Sequence, residues 1–214
     1  MRPDRSATVA RIKAAGAVAI FRTATTEQAL HAAEAAIAGG FRAVEITYGV
    51  PNALEVVAHL VRAHSDLLIG AGTVLTREQA NQAIDAGADF LVSPCVIPEM
   101  IEVGREREIV TIPGAFTPTE IYTAYSLGAD IIKIFPAVTN GPEYLRAIRG
   151  PLPEIPIMPT SGVTFDNVAD WFRAGAVAVG AVGSVFDAAL IRSGEWDALT
   201  QRAREFLALV AKAR

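Results

Sequence analysis

GADIIKIFPA, residues 128–137, decides how the chain is read. A Gly-Ala pair leads into an apolar run of strand length that closes on Phe135-Pro136. As a strand, it puts Ile131, Lys133 and Phe135 on one face and Ile132 and Ile134 on the other. Both faces are apolar, so the Lys133 ammonium must be paired or discharged. Arginine cannot be discharged at useful pH, whereas lysine can, and a neutral amine is a nucleophile. A structural lysine, snorkelling from the strand end or held by a carboxylate, is the competing account. The chain has 16 arginines and only three lysines, Lys13, Lys133 and Lys212. The use of lysine in this one apolar strand tips the balance towards chemistry.

On either side of this stretch the same unit repeats. Strands are expected at Ala17–Phe21, Ala43–Thr47, Leu67–Ala71, Asp89–Ser93, Ile109–Pro113, Ile131–Phe135, Ile155–Thr160 and Ala176–Gly180. Between them the pattern predicts helices at Thr25–Gly39, Asn52–His64, Thr76–Ala86, Ile97–Arg105, Thr117–Leu127, Gly141–Ile148 and Asp166–Ala174. A short amphipathic helix over residues 3–15 precedes them, and helices near Val185–Ile191 and Trp196–Ala213 follow. Eight strand–helix alternations with short loops argue for parallel strands and helical crossovers. The expected fold is α/β, a (β/α)8 TIM barrel with an N-terminal helix, one domain over residues 1–214. It is smaller than the usual length of roughly 250 residues. A doubly wound open sheet is the alternative, but no GxGxxG follows the first strand.

The composition limits the function classes. At 214 residues and 51% hydrophobic, the chain can bury a sizeable core. A formal net charge of -4 gives no electrostatic case for nucleic acid or an anionic membrane. Arg11 and Lys13 interrupt the N-terminal apolar stretch, which makes it a poor signal peptide. No run is long and apolar enough to span a bilayer. A lone cysteine, Cys95, cannot form an intrachain disulfide, which fits a cytoplasmic location. His31, His59 and His64 fall on expected helices, and no HxH, HExxH or Cys/His cluster appears, so neither a metal nor another cofactor is expected.

In such a barrel the chemistry sits at the C-terminal strand ends. In AVEIT, residues 43–47, Val44 and Ile46 suit the helix side, so Ala43, Glu45 and Thr47 point inwards. The same logic turns Lys133 inwards. Strands two and six lie opposite in a ring of eight, so Glu45 and Lys133 should face each other across the mouth. A buried structural ion pair would satisfy both groups equally. An amine attacking a ketone forms a Schiff base, and a carboxylate can move the protons, which is a metal-free aldolase design. Thr160-Ser161-Gly162 after strand seven and Gly183-Ser184 after strand eight fall where barrels hold phosphate, with Gly183-Ser184 opening a short helix. Ordinary loop glycine and serine would read the same way.

Six segments, AVEIT (43–47), IGAGTVLT (69–76), GADFLVSP (87–94), IPGAFTPTE (112–120), IKIFPA (132–137) and PTSGV (159–163), occur in order over nearly the whole chain. In them the chain resembles the 2-keto-3-deoxy-6-phosphogluconate (KDPG) aldolase family, with its close relative 2-keto-3-deoxy-6-phosphogalactonate aldolase. The resemblance implies a trimeric class I aldolase that yields pyruvate and glyceraldehyde 3-phosphate from a phosphorylated keto acid. It implies Lys133 as the Schiff-base lysine and Glu45 as the proton carrier. It places Thr73, Pro94, Phe135 and Thr160 at the pyruvate end, and Ser161, Gly162, Gly183 and Ser184 at the phosphate. Gly49 stands where the family commonly has a substrate-binding arginine, and Arg22 supplies the missing charge in this reading, as in the galactonate branch. GPEY (141–144) also looks more like that branch. Ser161 replaces a usual glycine, and Cys95 replaces a common one and is expected to narrow the pyruvate end. The rival substrates are the galactonate epimer and 4-hydroxy-2-oxoglutarate. A phospho-sugar isomerase, a phosphate-ester synthase or a non-catalytic sugar-phosphate binder would share the phosphate site without needing Lys133.

Overall fold

The computed structural model describes residues 4–139 and 141–214. Pro3, the expected first residue of the N-terminal helix, lies outside them. Among the described residues there are nine strands: β1 (Ala17–Phe21), β2 (Ala43–Thr47), β3 (Leu68–Gly72), β4 (Phe90–Val92), β5 (Val110–Ile112), β6 (Gly114–Ala115), β7 (Ile132–Ile134), β8 (Ile157–Pro159) and β9 (Val179–Ala181). They form two parallel sheets, one ordered β5-β4-β3-β2-β1-β9 and the other β6-β7-β8. The strands run in sequential order with the first beside the last. No strand order reverses, as a doubly wound sheet would require.

The expected fifth strand is two strands because of Pro113. Proline has no N–H to donate to a ladder, so β5 pairs with β4 and the chain resumes after Pro113 as β6 beside β7. The Pro113 carbonyl still accepts from the Lys133 N–H at 2.9 Å. On the far side, Val177 N–H donates to Ile157 O at 3.0 Å, and Thr160 bridges Gly180 in parallel register.

Strand alternation divides the core. Val44, Ile46, Ile132 and Ile134 lie on the outer face, in a cluster that includes Ala-rich α2 (Thr26–Ala38) and α3 (Ala53–Ala63). Ala43, Leu68, Phe90, Ile131 and Met158 point inwards. Ile12 of α1 (Arg5–Ala15) joins this inner cluster from the N-terminal strand ends. That helix buries only Thr8 and Ile12, so its apolar stripe is narrower than an amphipathic reading implies.

The other crossover helices are α4 (Arg77–Asp85), α5 (Pro98–Glu106), α6 (Pro118–Ser126), α7 (Gly141–Arg149) and α8 (Val168–Arg173). Thr117 opens α6 with a full capping box, its side chain and that of Glu120 serving each other's backbone N–H. At the end of the chain, α9 (Ala188–Ser193) begins later than expected, because Asp187 caps it by accepting from the Ala189 and Leu190 N–H groups. The final helix, α10 (Trp196–Ala213), packs on α2 and α8. Among the described residues no helix is long and apolar enough to cross a membrane.

Candidate active site

At the C-terminal strand ends the inward-facing positions turn polar and enclose a cavity of about 230 Å³. Glu45 from β2 and Lys133 from β7 both line it, as the alternation of AVEIT and IKI requires. Arg22, just after β1, and Thr73, just after β3, sit at its rim with Pro94, Phe135 and Thr160. All seven expected residues of this end are therefore brought together.

Glu45 is 1% exposed and its Oε2 has no hydrogen-bond partner. Burial pushes its carboxyl above the ordinary range, opposed by the positive charges of Lys133 and Arg22. Space for it comes from β3: a Cβ at Gly72 would fall 1.9 Å from Glu45 Oε1. Lys133 is 7% exposed and makes no ion pair within 4.0 Å among the described residues; its Nζ lies 5.2 Å from the centre of the Phe135 ring. The pair is thus two buried charges in one cavity, close enough to feel each other, without the direct contact of a structural salt bridge.

Backbone strain collects around the same cavity. Thr73 has φ 60 and Ser161 φ 65, left-handed values that are costly for residues bearing a Cβ, most of all a branched one. Arg22 is exposed at the mouth, and a Cβ at Gly49 would lie 3.8 Å from its Cγ. The arginine therefore occupies the space beside Gly49.

A second cavity, also about 230 Å³, adjoins the first through Ser161 and Val182. It is lined by Gly162, Gly183 and Ser184, so all four expected phosphate residues meet. Gly162 is obligatory, since its φ is 116 and a Cβ would fall 2.5 Å from the Val138 backbone. Asn167 shapes the loop by donating to Gly162 O and accepting from Thr164 N–H, both at 2.8 Å. The N–H groups of Gly162, Val163, Gly183 and Ser184 donate no backbone hydrogen bond among the described residues. One expectation changes here. Gly183-Ser184 does not open a helix but lies in a turn, in which Val185 and Phe186 N–H both donate to Val182 O. Ser184 Oγ donates to Val163 O at 2.5 Å, so its hydroxyl proton is committed to the loop.

A family model described as aldolase, KDPG and KHG aldolase, matches residues 9–202. The chain belongs to the KDPG and KHG aldolase family. The 2-dehydro-3-deoxy-6-phosphogalactonate aldolase of Escherichia coli K12 is 38% identical over 165 residues, 76% of this chain and 80% of its own length. The 2-dehydro-3-deoxy-phosphogluconate aldolase of Pseudomonas aeruginosa is 35% identical over 85% of this chain and 83% of its own. Among solved structures, the KDPG aldolase of Legionella pneumophila, with pyruvate captured as a covalent carbinolamine, matches at a TM-score of 0.84. It is 30% identical and covers 92% of this chain and 96% of its own.

Sequence reading did not assign three residues that line the first cavity: Ile20, Thr47 and Val182. Thr47 had a signal, since it shares the inward face of β2 with Glu45. It is 2% exposed and its Oγ1 is unpartnered, as is that of Thr160. Cys95, by contrast, is exposed and is not among the residues lining the cavity. Two of the histidines serve packing and surface pairing: His31 meets Trp196 edge-on, and His64 pairs with Glu34 at 2.8 Å.

Proposed function

We propose that this chain is a class I aldolase that cleaves 2-keto-3-deoxy-6-phosphogluconate to pyruvate and D-glyceraldehyde 3-phosphate. The observation that carries the reading is the buried Lys133, without an ion pair among the described residues, sharing one cavity with the buried Glu45 carboxyl, whose Oε2 is unpartnered.

In this reading the neutral Lys133 amine attacks the C2 ketone. Glu45, working through water, supplies and removes the protons as the carbinolamine loses water to become an iminium. The Glu45 carboxylate then takes the C4 hydroxyl proton. The C3–C4 electrons flow into the iminium, giving an enamine and the free aldehyde. The enamine is protonated at C3, and water hydrolyses the resulting imine, which returns the Lys133 amine and releases pyruvate. The orphan hydroxyls of Thr47 and Thr160 offer hydrogen bonds to the keto acid. The free N–H groups around Gly162 and Gly183 offer them to the phosphate. The tandem of cavities fits a substrate with a keto acid at one end and a phosphate at the other.

A second reading, cleavage of the galactonate epimer, is favoured by one observation: Arg22, not residue 49, brings positive charge to the mouth. Relative kcat/KM on the two C4 epimers decides between them.

We also infer that the two sheets are halves of one closed (β/α)8 barrel within a single domain. The Lys133–Pro113 and Val177–Ile157 hydrogen bonds and the Thr160–Gly180 bridge support closure. A homotrimer is supported by the family and by exposed Tyr122 and Val138, the latter 68% accessible. Light scattering tests it by mass. A cytoplasmic location accords with the lone cysteine.

The deciding experiment is borohydride reduction in the presence of pyruvate, followed by peptide mapping. The expected result is a reduced pyruvate adduct on Lys133. Folded protein with no adduct on any lysine would favour the isomerase or binding-protein readings.

A further inference from the structure

We propose that Arg202 is a positioning residue for the anion cradle. From α10, outside the strand layer, its guanidinium holds the turn after β9 in the shape that leaves the Gly183 and Ser184 N–H groups open to a phosphate. The inference rests on the phosphate reading of that cavity given above.

The turn is rolled by the two bonds into Val182 O, from Val185 N–H at 3.0 Å and Phe186 N–H at 2.8 Å. Such a turn leaves its later carbonyls, those of Ser184 and Val185, without main-chain partners. Arg202 supplies both: Nη2 donates to Ser184 O at 2.5 Å and Nε to Val185 O at 2.9 Å. A guanidinium is planar, with its donors in a fixed fork, so two bonds to consecutive carbonyls set the tilt of both peptide planes. An ammonium could reach either carbonyl but would fix neither plane.

The same guanidinium is tied to the other half of the cradle. Its centre lies 5.1 Å from the ring of Phe165, which follows Gly162 in the loop after β8. Phe165 in turn meets Phe206 edge-on at 5.5 Å, and Phe206 lies one turn beyond Arg202 on α10. Ser184 Oγ closes the link by donating to Val163 O. Arg202 therefore touches both loops and brings a positive charge to the turn that carries the Gly183 and Ser184 N–H groups. Neighbouring arginines do something else: Arg204 of α10 reaches Ala38 O, and Arg214, just past its end, reaches the carbonyls of Lys13 and Ala14.

The test uses the full chain, with Arg202→Met, Arg202→Lys and Gly183→Val. A Cβ at Gly183 meets no atom within 4 Å, so a valine there starts in open space and projects into the cradle. Three quantities are measured: KM and kcat for 2-keto-3-deoxy-6-phosphogluconate, and the pyruvate concentration giving half-maximal borohydride trapping. Arg202→Met should raise KM about tenfold with kcat kept, the equivalent of roughly one charge-assisted hydrogen bond to the anion. Half-maximal trapping, which involves no phosphate, should not follow KM. Arg202→Lys should recover only part of the loss. If KM and trapping weaken together, Arg202 is a general structural brace and the proposal falls. It falls equally if KM does not move. A raised KM in Gly183→Val alone overturns the Arg202 role but keeps the cradle, whereas an unchanged KM in Gly183→Val removes the phosphate reading and the proposal with it. Should Arg202→Met not fold, Arg202→Lys carries the test, and a wild-type KM in that variant overturns the role.

Discussion

At the N-terminal end of the strands, Arg5 of α1 grips Asp130, with Nε at 2.8 Å from one carboxylate oxygen and Nη2 at 3.0 Å from the other. Asp130 also accepts from Thr111 N–H, and Arg5 from its side donates to Gly128 O. At the C-terminal end, Lys133 and Glu45 are more deeply buried, yet among the described residues neither has an ion-pair partner within 4.0 Å and Glu45 Oε2 has no hydrogen bond. The two pairs use the same kinds of group at opposite ends of the same strands. Saturated partners make a charge inert and hold α1 in place. Unsaturated ones leave the charge available to a ligand, at a cost in stability that the rest of the fold must carry.

The largest break in this comparison comes from the unsaturated end. Replacing Lys133 by Ala should cut kcat by about 10⁴-fold or more and abolish borohydride trapping, because the covalent route is lost. Glu45→Gln should lower kcat by about 10²–10⁴-fold through lost proton transfer while pyruvate binding is kept. Equal losses in turnover and pyruvate binding would make Glu45 a structural group like Asp130.

A smaller break needs no change to either charge. Gly72→Ala puts a Cβ 1.9 Å from the present position of Glu45 Oε1. The carboxyl must shift, and a misplacement of about 1 Å can cost about 10²-fold in rate. The expected outcome is a fall in kcat with trapping on Lys133 retained. Wild-type kcat in this variant would show that the position of Glu45 is not critical.

The saturated end should respond in stability alone. Asp130→Asn keeps the shape but weakens the bonds from Arg5 and Thr111, costing about 1–3 kcal/mol. In a chain of this size each kcal/mol lowers Tm by about 2–4 °C. Thermal melting should show that loss while kcat is unchanged. A fall in kcat without a fall in Tm would place Asp130 in the active end.

Much of this contrast was legible in the sequence, because strand alternation is a strict rule. One apolar β-branched neighbour on each side, Val44 and Ile46 or Ile132 and Ile134, was enough to turn Glu45 and Lys133 inwards. Thr47 obeyed the same rule, but nothing local marks a threonine as functional. The break at Pro113 had its signal in the proline, yet a strand continuing beyond it depends on the partner β7, which is distant in sequence. Asp187 is a cap signal for α9, but competes with Ser184 until the turn on Val182 is seen. Cys95 follows Pro94 directly, and only the loop's path shows that one lines the cavity and the other faces out. Arg202 was invisible, since its partners are main-chain carbonyls that carry no residue type.

The smallest effect sharpens the comparison at its centre, the state of Glu45. Burial raises its folded-state pKa above the ordinary 4.5, and the charges of Lys133 and Arg22 only partly offset this. Between the unfolded and folded values the native protein therefore holds a proton that the unfolded chain has released. Stability must then fall as pH rises through that window, beginning near 4.5, and level off once the native carboxyl is ionised. Glu45→Gln has no such proton to lose. Its Tm should match the wild type below pH 4.5 and exceed it at neutral pH, a gain of about 2–4 °C for each kcal/mol. A wild type that instead gains stability over the same window relative to the variant would mean that Glu45 is held as a paired carboxylate, and the two ends of the strands would then differ in nothing but depth.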